Sequence, residues 1–231
     1  MDRIQEALGA GKSALNEYEA KRLLADFGIP ICREALVPDG EAAVKTAREF
    51  GYPVVLKAAG DLIQHKTELG AVSLNLKSDA EVREEARRLH AIVGCEGLLV
   101  QEMVRGEREL VCGLTRDAQF GACVMFGLGG IFTELIADVV FRVAPLSTAD
   151  ALEMMEEIRT AKVLHAFRGQ PPVDREALAR ILVAVGEIGC RYGDIQEIDI
   201  NPIKILPDGS PVAVDALVAI REGKRERRNG K

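Results

Sequence analysis

Gly193-Asp-Ile-Gln-Glu-Ile-Asp-Ile-Asn-Pro-Ile-Lys-Ile-Leu-Pro-Asp-Gly-Ser-Pro-Val-Ala-Val-Asp215 decides how this chain is read. Residues that alternate along a strand share a face, so Glu197, Asp199 and Asn201 fall together, with Ile198, Ile200 and Ile203 among the apolar positions. Leu206 to Ser210 has the composition of a three-residue hairpin loop. Pro207 and Asp208 suit the centre of a type I turn, and Gly209 suits the left-handed position that forms a bulge. A closing pair of Leu206 and Ser210 sets Asp215 directly opposite Asn201. Oxygen-bearing side chains then converge on one half-buried patch. Two readings fit that patch: the solvated outer face of a hairpin, or a hard-cation site in which the ion offsets the burial of carboxylates. The register and the apolar opposite face favour the cation. An all-oxygen set with few ligands suits Mg²⁺ shared with phosphate groups.

Working outward, the 231 residues can bury a sizeable core, as one large domain or two small lobes. With 48% hydrophobic and 29% charged residues, the composition is that of an ordinary soluble globular protein. No apolar run reaches membrane-spanning length, and the N-terminus, with Asp2 and Glu6, lacks the apolar core of a signal peptide. A net charge of −6 and the absence of tryptophan argue against a nucleic-acid surface. Cys32, Cys95, Cys112, Cys123 and Cys190 have no paired metal spacing and are expected as reduced thiols of a cytoplasmic protein.

Helices and strands alternate along the chain. Asn16 and Glu19 form a capping arrangement for a helix through Phe27, stopped by Gly28. Further helices are expected over about 41–50, 78–93, 148–163 and 174–192. Strands are expected over 53–58, 71–76, 98–104, 109–114, 122–126 and 141–143. A lobe boundary is expected near Gly94 to Gly97. The tail from Arg221 to Lys231 carries six basic residues among eleven and is expected as a solvated end.

Several groups could meet a nucleotide, each with a plainer alternative. Lys57 ends an apolar strand, where a lysine either faces an anion or snorkels to solvent. Gly127-Leu-Gly-Gly130 would let backbone N–H groups approach phosphate, although a glycine loop alone is weak support. Arg142, between Phe141 and Val143, is an edge charge or a phosphate clamp. Gln101-Glu102-Met103-Val104, with Glu109 beyond it, offers an edge for adenine and a carboxylate for ribose, or is ordinary sheet. His65 lies in the polar loop Gly60–Gly70. A neutral imidazole can carry a phosphoryl group on nitrogen, but on spacing alone a surface histidine is the stronger reading.

Taken together these residues resemble a known family. Asp199-Ile-Asn-Pro202, the Pro-Asp-Gly turn and Val-Ala-Val-Asp215 are joined by Leu15-Asn-Glu-Tyr-Glu-Ala-Lys21, Val55-Leu-Lys57, His65-Lys-Thr-Glu, Gln101-Glu-Met-Val104 and Met125-Phe-Gly-Leu-Gly-Gly-Ile-Phe-Thr-Glu134. In that order, from about Ser13 to Ile220, they are similar to the ATP-grasp β subunits of NDP-forming acetate–CoA ligases. The resemblance implies an α/β (α+β) ATP-grasp fold with a nucleotide held between two lobes. The implied division is 1–12 as an extension, 13–95 and 96–220 as the lobes, and 221–231 as the tail.

For ATP or ADP with Mg²⁺, the resemblance assigns Lys57, Gly129 and Gly130 to the phosphates, the Gln101–Val104 edge to adenine and Glu109 to ribose. Asp199, Asn201 and Asp215 would hold the metal, with Glu197 beside them. His65, Arg142 and Glu134 would be catalytic, His65 as the loop histidine that relays a phosphoryl group. The acyl and CoA chemistry would belong to a CoA-binding α subunit in a hetero-oligomer such as α2β2, with no nucleic acid or membrane as partner. Asp199 stands where succinyl-CoA relatives have Glu, and Ala71 follows Gly70 where the family commonly has a glycine pair. A stand-alone ATP-grasp carboxylate ligase and a non-catalytic nucleotide sensor remain the alternatives.

Overall fold

The computed structural model describes residues 3–61, 63, 69–130 and 137–221. Its first elements are helix α1 (Arg3–Gly9), strand β1 (Ala14–Leu15) and helix α2 (Glu17–Asp26). The small lobe follows as β2 (Glu34–Val37), α3 (Gly40–Phe50), β3 (Val54–Ala59), β4 (Val72–Leu76), α4 (Asp79–His90) and β5 (Gly97–Glu102). The large lobe then runs through β6 (Glu109–Asp117), β7 (Gly121–Leu128), β8 (Val139–Val143), α5 (Thr148–Glu157), a 3₁₀ turn (Ala161–Leu164), α6 (Arg175–Arg191), β9 (Ile195–Ile205), β10 (Pro211–Ala213) and β11 (Leu217–Ile220).

Two antiparallel sheets organise these elements, ordered β2-β5-β3-β4 in the small lobe and β1-β11-β9-β6-β7-β8 in the large one, where β10 also pairs with β9. One face of the large sheet packs against α5 and α6, burying Leu110, Leu114, Phe126, Ile198 and Ile200 with Met154, Met155, Leu182 and Ile188. Each such side chain, wholly removed from water, contributes about 1.5–3 kcal/mol before the entropy of ordering it. The small sheet packs on α3 and α4 around Val44, Leu56, Val82, Leu89 and Val100.

The expected boundary at Gly94 to Gly97 is corrected, because β5 pairs with β2 and β3 and therefore belongs to the small sheet. The chain crosses to the large lobe over residues 103–108 instead. The first thirty residues also belong elsewhere than expected. Ile4, Ala7, Leu15, Leu23 and Leu24 are buried in the large core, and β1 pairs with β11. Neither a seven-residue helix nor a two-residue strand has enough periodicity to announce itself, and both depend on a sheet completed by the far end of the chain.

Caps explain the helix starts. Asn16 Oδ1 accepts the N–H of Glu19 at 3.0 Å while Glu19 Oε2 accepts that of Asn16 at 3.1 Å, completing the expected capping box. Asp39, Ser78 and Asp174 cap α3, α4 and α6 in the same sense. The helix expected over 148–163 breaks after Glu157. The buried carboxylate of Asp138 accepts the N–H groups of Arg159 and Thr160, both at 2.8 Å, and so captures donors that would have continued the helix. Among the described residues no helix is long and apolar enough to cross a membrane.

Candidate functional site

The hairpin forms in the expected register. Pro211, Val212 and Ala213 face Ile205, Lys204 and Ile203, and after a short break Leu217 faces Asp199. Leu206 N–H donates to Ser210 O at 2.9 Å, and Gly209 takes a φ of +91°, the left-handed value that favours glycine. Asp215 sits in the break between β10 and β11, in step with Asn201. Asp199 is flanked on its neighbouring strands by Gly113 and Leu217. Its face of the large sheet is the one turned away from α5 and α6.

Asp199 is the most perturbed acid on this face. Burial, then the charges of Glu197 and Asp215, push its carboxyl up to about 6, and among the described residues it has no cation or hydrogen-bond donor. Asn201 Oδ1 accepts the N–H of Gly130 at 3.0 Å, and Asp215 Oδ2 accepts from Lys57 Nζ at 3.1 Å. Among the described residues no three His, Cys, Asp or Glu side chains are grouped closely enough to enclose an ion by themselves. The donors therefore amount to two carboxylates and an amide oxygen. That set fits Mg²⁺, which keeps waters and phosphate oxygens in the rest of its shell, and the under-compensated Asp199 is the group such an ion would neutralise.

The glycine loop reaches the same place. Gly129 N–H donates to Glu109 O at 2.9 Å, and Gly130, at φ +68°, lies so close to Glu109 that an added Cβ would overlap its Oε2. Glu109 Oε1 pairs with Lys204 Nζ at 2.8 Å. Glu109, Gly129, Gly130 and Asn201 are thus brought together.

Lys57 is buried to 4% exposure, with Nζ 2.6 Å from Glu17 Oε1 and 3.1 Å from Asp215 Oδ2. Burial opposes its charge, and Glu17 and then Asp215 outweigh burial, so the ammonium is held above its ordinary pKa. Around it lies a polar network at the lobe junction. Glu17 Oε1 also accepts from Lys21 Nζ at 2.7 Å and from Gln101 Nε2 at 3.0 Å. Glu34 pairs with Lys21 and accepts from Gln101 at 3.0 Å, and both Lys21 and Gln101 donate to Val214 O.

The Gln101–Val104 edge expected to face adenine has fewer free backbone groups than the sequence suggested. Gln101 is fully buried with its side chain in that network, and its backbone lies between Val55 and Glu34. Glu102 is engaged by Val54 and by Arg33, whose N–H donates to Glu102 Oε1 at 2.8 Å. Met103 and Val104, half-buried between the lobes, lie outside the strands and keep their backbone edge.

Arg142 is not brought to this face. Its strand neighbour Val124 aligns with Leu114 and Ile198 in the row that faces the helices, whereas Asp199 aligns with Gly113, Met125 and Phe141. Its guanidinium pairs with Glu157 and approaches Glu153 of α5. Alternation had told that Arg142 opposes Phe141 and Val143, but not which side the helices cover. His65 and Glu134 lie outside the described residues. Flanking the loop of His65, Asp61 is paired with Lys12 at 2.8 Å, and Gly70 O accepts from Arg88 at 2.7 Å. Glu17, Lys21 and Glu34 were not singled out from the sequence as site residues. Glu17 and Lys21 entered only within the Leu15–Lys21 motif, and their i,i+4 spacing is shared by ordinary surface ion pairs, while Glu34 carried no signal.

The sequence matches the family described as ATP-grasp domain over residues 6–220. Acetate–CoA ligase (ADP-forming) I subunit beta of Pyrococcus furiosus is 44% identical over 233 residues, spanning 95% of this chain and 100% of its own length. A dinucleotide forming acetyl-coenzyme A synthetase 1 from Ca. Korarchaeum cryptofilum, in complex with coenzyme A, Ca-AMPCP and HgCl⁺, superposes with a TM-score of 0.89 at 43% identity, covering 94% of this chain and 97% of its own. A second structure of that synthetase, with coenzyme A and Mg-AMPPCP and its phosphohistidine segment pointing towards the nucleotide binding site, gives a TM-score of 0.84 at 44% identity, covering 95% and 99%. With nearly the whole chain matched at this identity, the protein belongs to the ATP-grasp family, among the β subunits of ADP-forming acetate–CoA ligases.

Proposed function

We propose that this chain carries out the nucleotide half-reaction of an ADP-forming acyl-CoA ligase, moving a phosphoryl group between a histidine and ADP. The observation that carries the reading is the meeting of Lys57 with Asp215, which puts a buried ammonium from the small lobe against the acidic hairpin of the large one. Adenine would lie along Met103 and Val104, ribose beside Glu109, and the phosphates between Lys57 and the Gly129–Gly130 backbone. Asp199, Asn201 and Asp215 would hold Mg²⁺, which would supply Lewis-acid compensation for the charge that builds on the phosphates.

Lys57 offsets the same negative charge from the other lobe, and the Gly129–Gly130 turn, free of side chains, lets phosphate come close to the backbone. In the forward direction a β-phosphate oxygen of ADP attacks phosphohistidine at His65. The P–O bond forms as the N–P bond breaks, and the electron pair returns to the ring nitrogen. Acyl and CoA chemistry is assigned to a partner α subunit, in keeping with the relative named subunit beta. The free cysteines suit a cytoplasmic setting.

Incubation of the chain and its co-purified partner with γ-labelled ATP and Mg²⁺, followed by mapping of acid-labile phosphate, tests the reading. Label is expected on His65 and is lost in His65→Ala, with ADP binding retained. Label elsewhere, or ADP affinity lost with exchange intact, would reverse the assignment.

A further inference from the structure

We propose that Glu17 is a positioning residue for the Lys57 ammonium, holding it in place while Asp215 passes from lysine counter-ion to metal ligand. The inference rests on the reading that Lys57 meets the nucleotide phosphates. It gives a role to the Asn-Glu-Tyr-Glu-Ala-Lys21 segment, which the half-reaction leaves unused.

Glu17 is the first residue of α2, a helix whose apolar side, Ala20, Leu23 and Leu24, is buried in the large core. Its own carboxylate, one turn before Lys21 and beside that apolar side, reaches Lys57 and Gln101 of the small sheet and is 3% exposed. One oxygen, Oε1, lies 2.6 Å from Lys57 Nζ, 2.7 Å from Lys21 Nζ and 3.0 Å from Gln101 Nε2. Three donors converging from two lysines and an amide leave that oxygen little freedom to move.

Charge arithmetic separates the two acids on Lys57. Glu17 and Glu34 balance Lys21 and Lys57 within the buried set, so the cluster is neutral without Asp215. The side chain of Asp215 is 39% exposed and lies at the edge of the cluster. It is the acid a metal ion can take without stranding a buried charge. Once it leaves, Lys57 keeps its bond to Glu17 and has donors to give to phosphate, since an ammonium carries three. Without Glu17, Asp215 would be the remaining carboxylate on Lys57, and the ammonium would compete with the metal for it.

Stability alone is a poor reason for such a cluster, because buried ion pairs are often no more stabilising than apolar side chains of the same volume. A lysine that must stay charged, buried and aimed does need it.

The test uses the full chain with Mg²⁺ and compares ADP with adenosine, which lacks phosphates. Glu17→Gln is expected to weaken ADP binding by about tenfold or more, the scale of a charge-assisted hydrogen bond, with adenosine binding changed less than about twofold. Glu17→Asp should recover part of the loss. In nitrogen-15 spectra of lysine ammonium groups, the Lys57 signal should be protected from exchange in the parent and lost in Glu17→Gln. If that variant does not fold, Glu17→Gln with Lys21→Met keeps the cluster neutral and should lose ADP affinity equally. Equal losses for ADP and adenosine with the Lys57 signal unchanged would make Glu17 structural and overturn the proposal. So would unchanged ADP binding in variants whose Lys57→Met counterpart loses it. Undiminished ADP binding in Lys57→Met would instead sink the phosphate reading itself.

Discussion

Asn201 Oδ1 accepts the backbone N–H of Gly130 at 3.0 Å, tying the glycine loop of β7 to the acidic strand two positions from Asp199. One side chain therefore fixes both a candidate metal ligand and a candidate phosphate-binding backbone. Asn201→Ala should lower Mg²⁺-dependent ADP affinity by about tenfold, more than either loss alone would. Gly130→Ala combines a positive φ with an overlap on Glu109 and should cost about 1–3 kcal/mol of stability. Calorimetric titration and thermal unfolding measure the two. Wild-type values in both variants would separate the loop from the site.

Protonation should compete with the metal. The Asp199 carboxyl is raised from an ordinary 3.8 to about 6 in the metal-free protein. A raised acid stabilises the metal-free fold fully below its unfolded pKa and loses that contribution as pH rises through its folded one. Because only the carboxylate ligates, Mg²⁺ affinity should climb between about pH 5 and 7 and level off above. Asp199→Asn should flatten the profile. A flat profile in the parent protein would contradict the ligand role.

Arg142 provides a test on the opposite face of the sheet. Its partners are Glu157 and Glu153 of α5, so Arg142→Met should change ADP binding and phosphoryl exchange by less than about twofold. The stability cost should stay below about 1 kcal/mol, the scale of exposed ion pairs. A large loss of exchange at normal stability would return Arg142 to the site.

Asp138→Ala should destabilise the chain by about 1–3 kcal/mol, because it leaves the N–H groups of Arg159 and Thr160 without their acceptor. Urea denaturation checks this. Nucleotide affinity measured well below the transition should not move.

Local chemistry made the hairpin legible. Pro207, Asp208 and Gly209 fix the turn, the turn fixes the register, and the register puts Asp215 in step with Asn201. The long helices declared themselves through caps and periodicity in the same way. What stayed hidden was decided by partners distant in sequence. β1 exists because β11, itself paired with β9, gives it an edge, and α5 ends early because a carboxylate from another segment takes its next donors. Arg142 looked like a phosphate clamp because alternation names two faces without saying which one the helices cover. Glu17 stood only within the Leu15–Lys21 motif, without a role of its own, since nothing local reveals that Lys57 and Gln101 arrive beside it.

The pairing of Ala14 and Leu15 with Val218 and Ala219 also bears on how the polypeptide is made. Residues as far along as Val218 must leave the ribosome before Ala14 and Leu15 find their partner, whereas the portion from Glu34 to Glu102 holds its own hydrophobic cluster and can consolidate during translation. Nascent chains stalled midway should thus resist proteases in that inner portion while their first thirty residues are still cut.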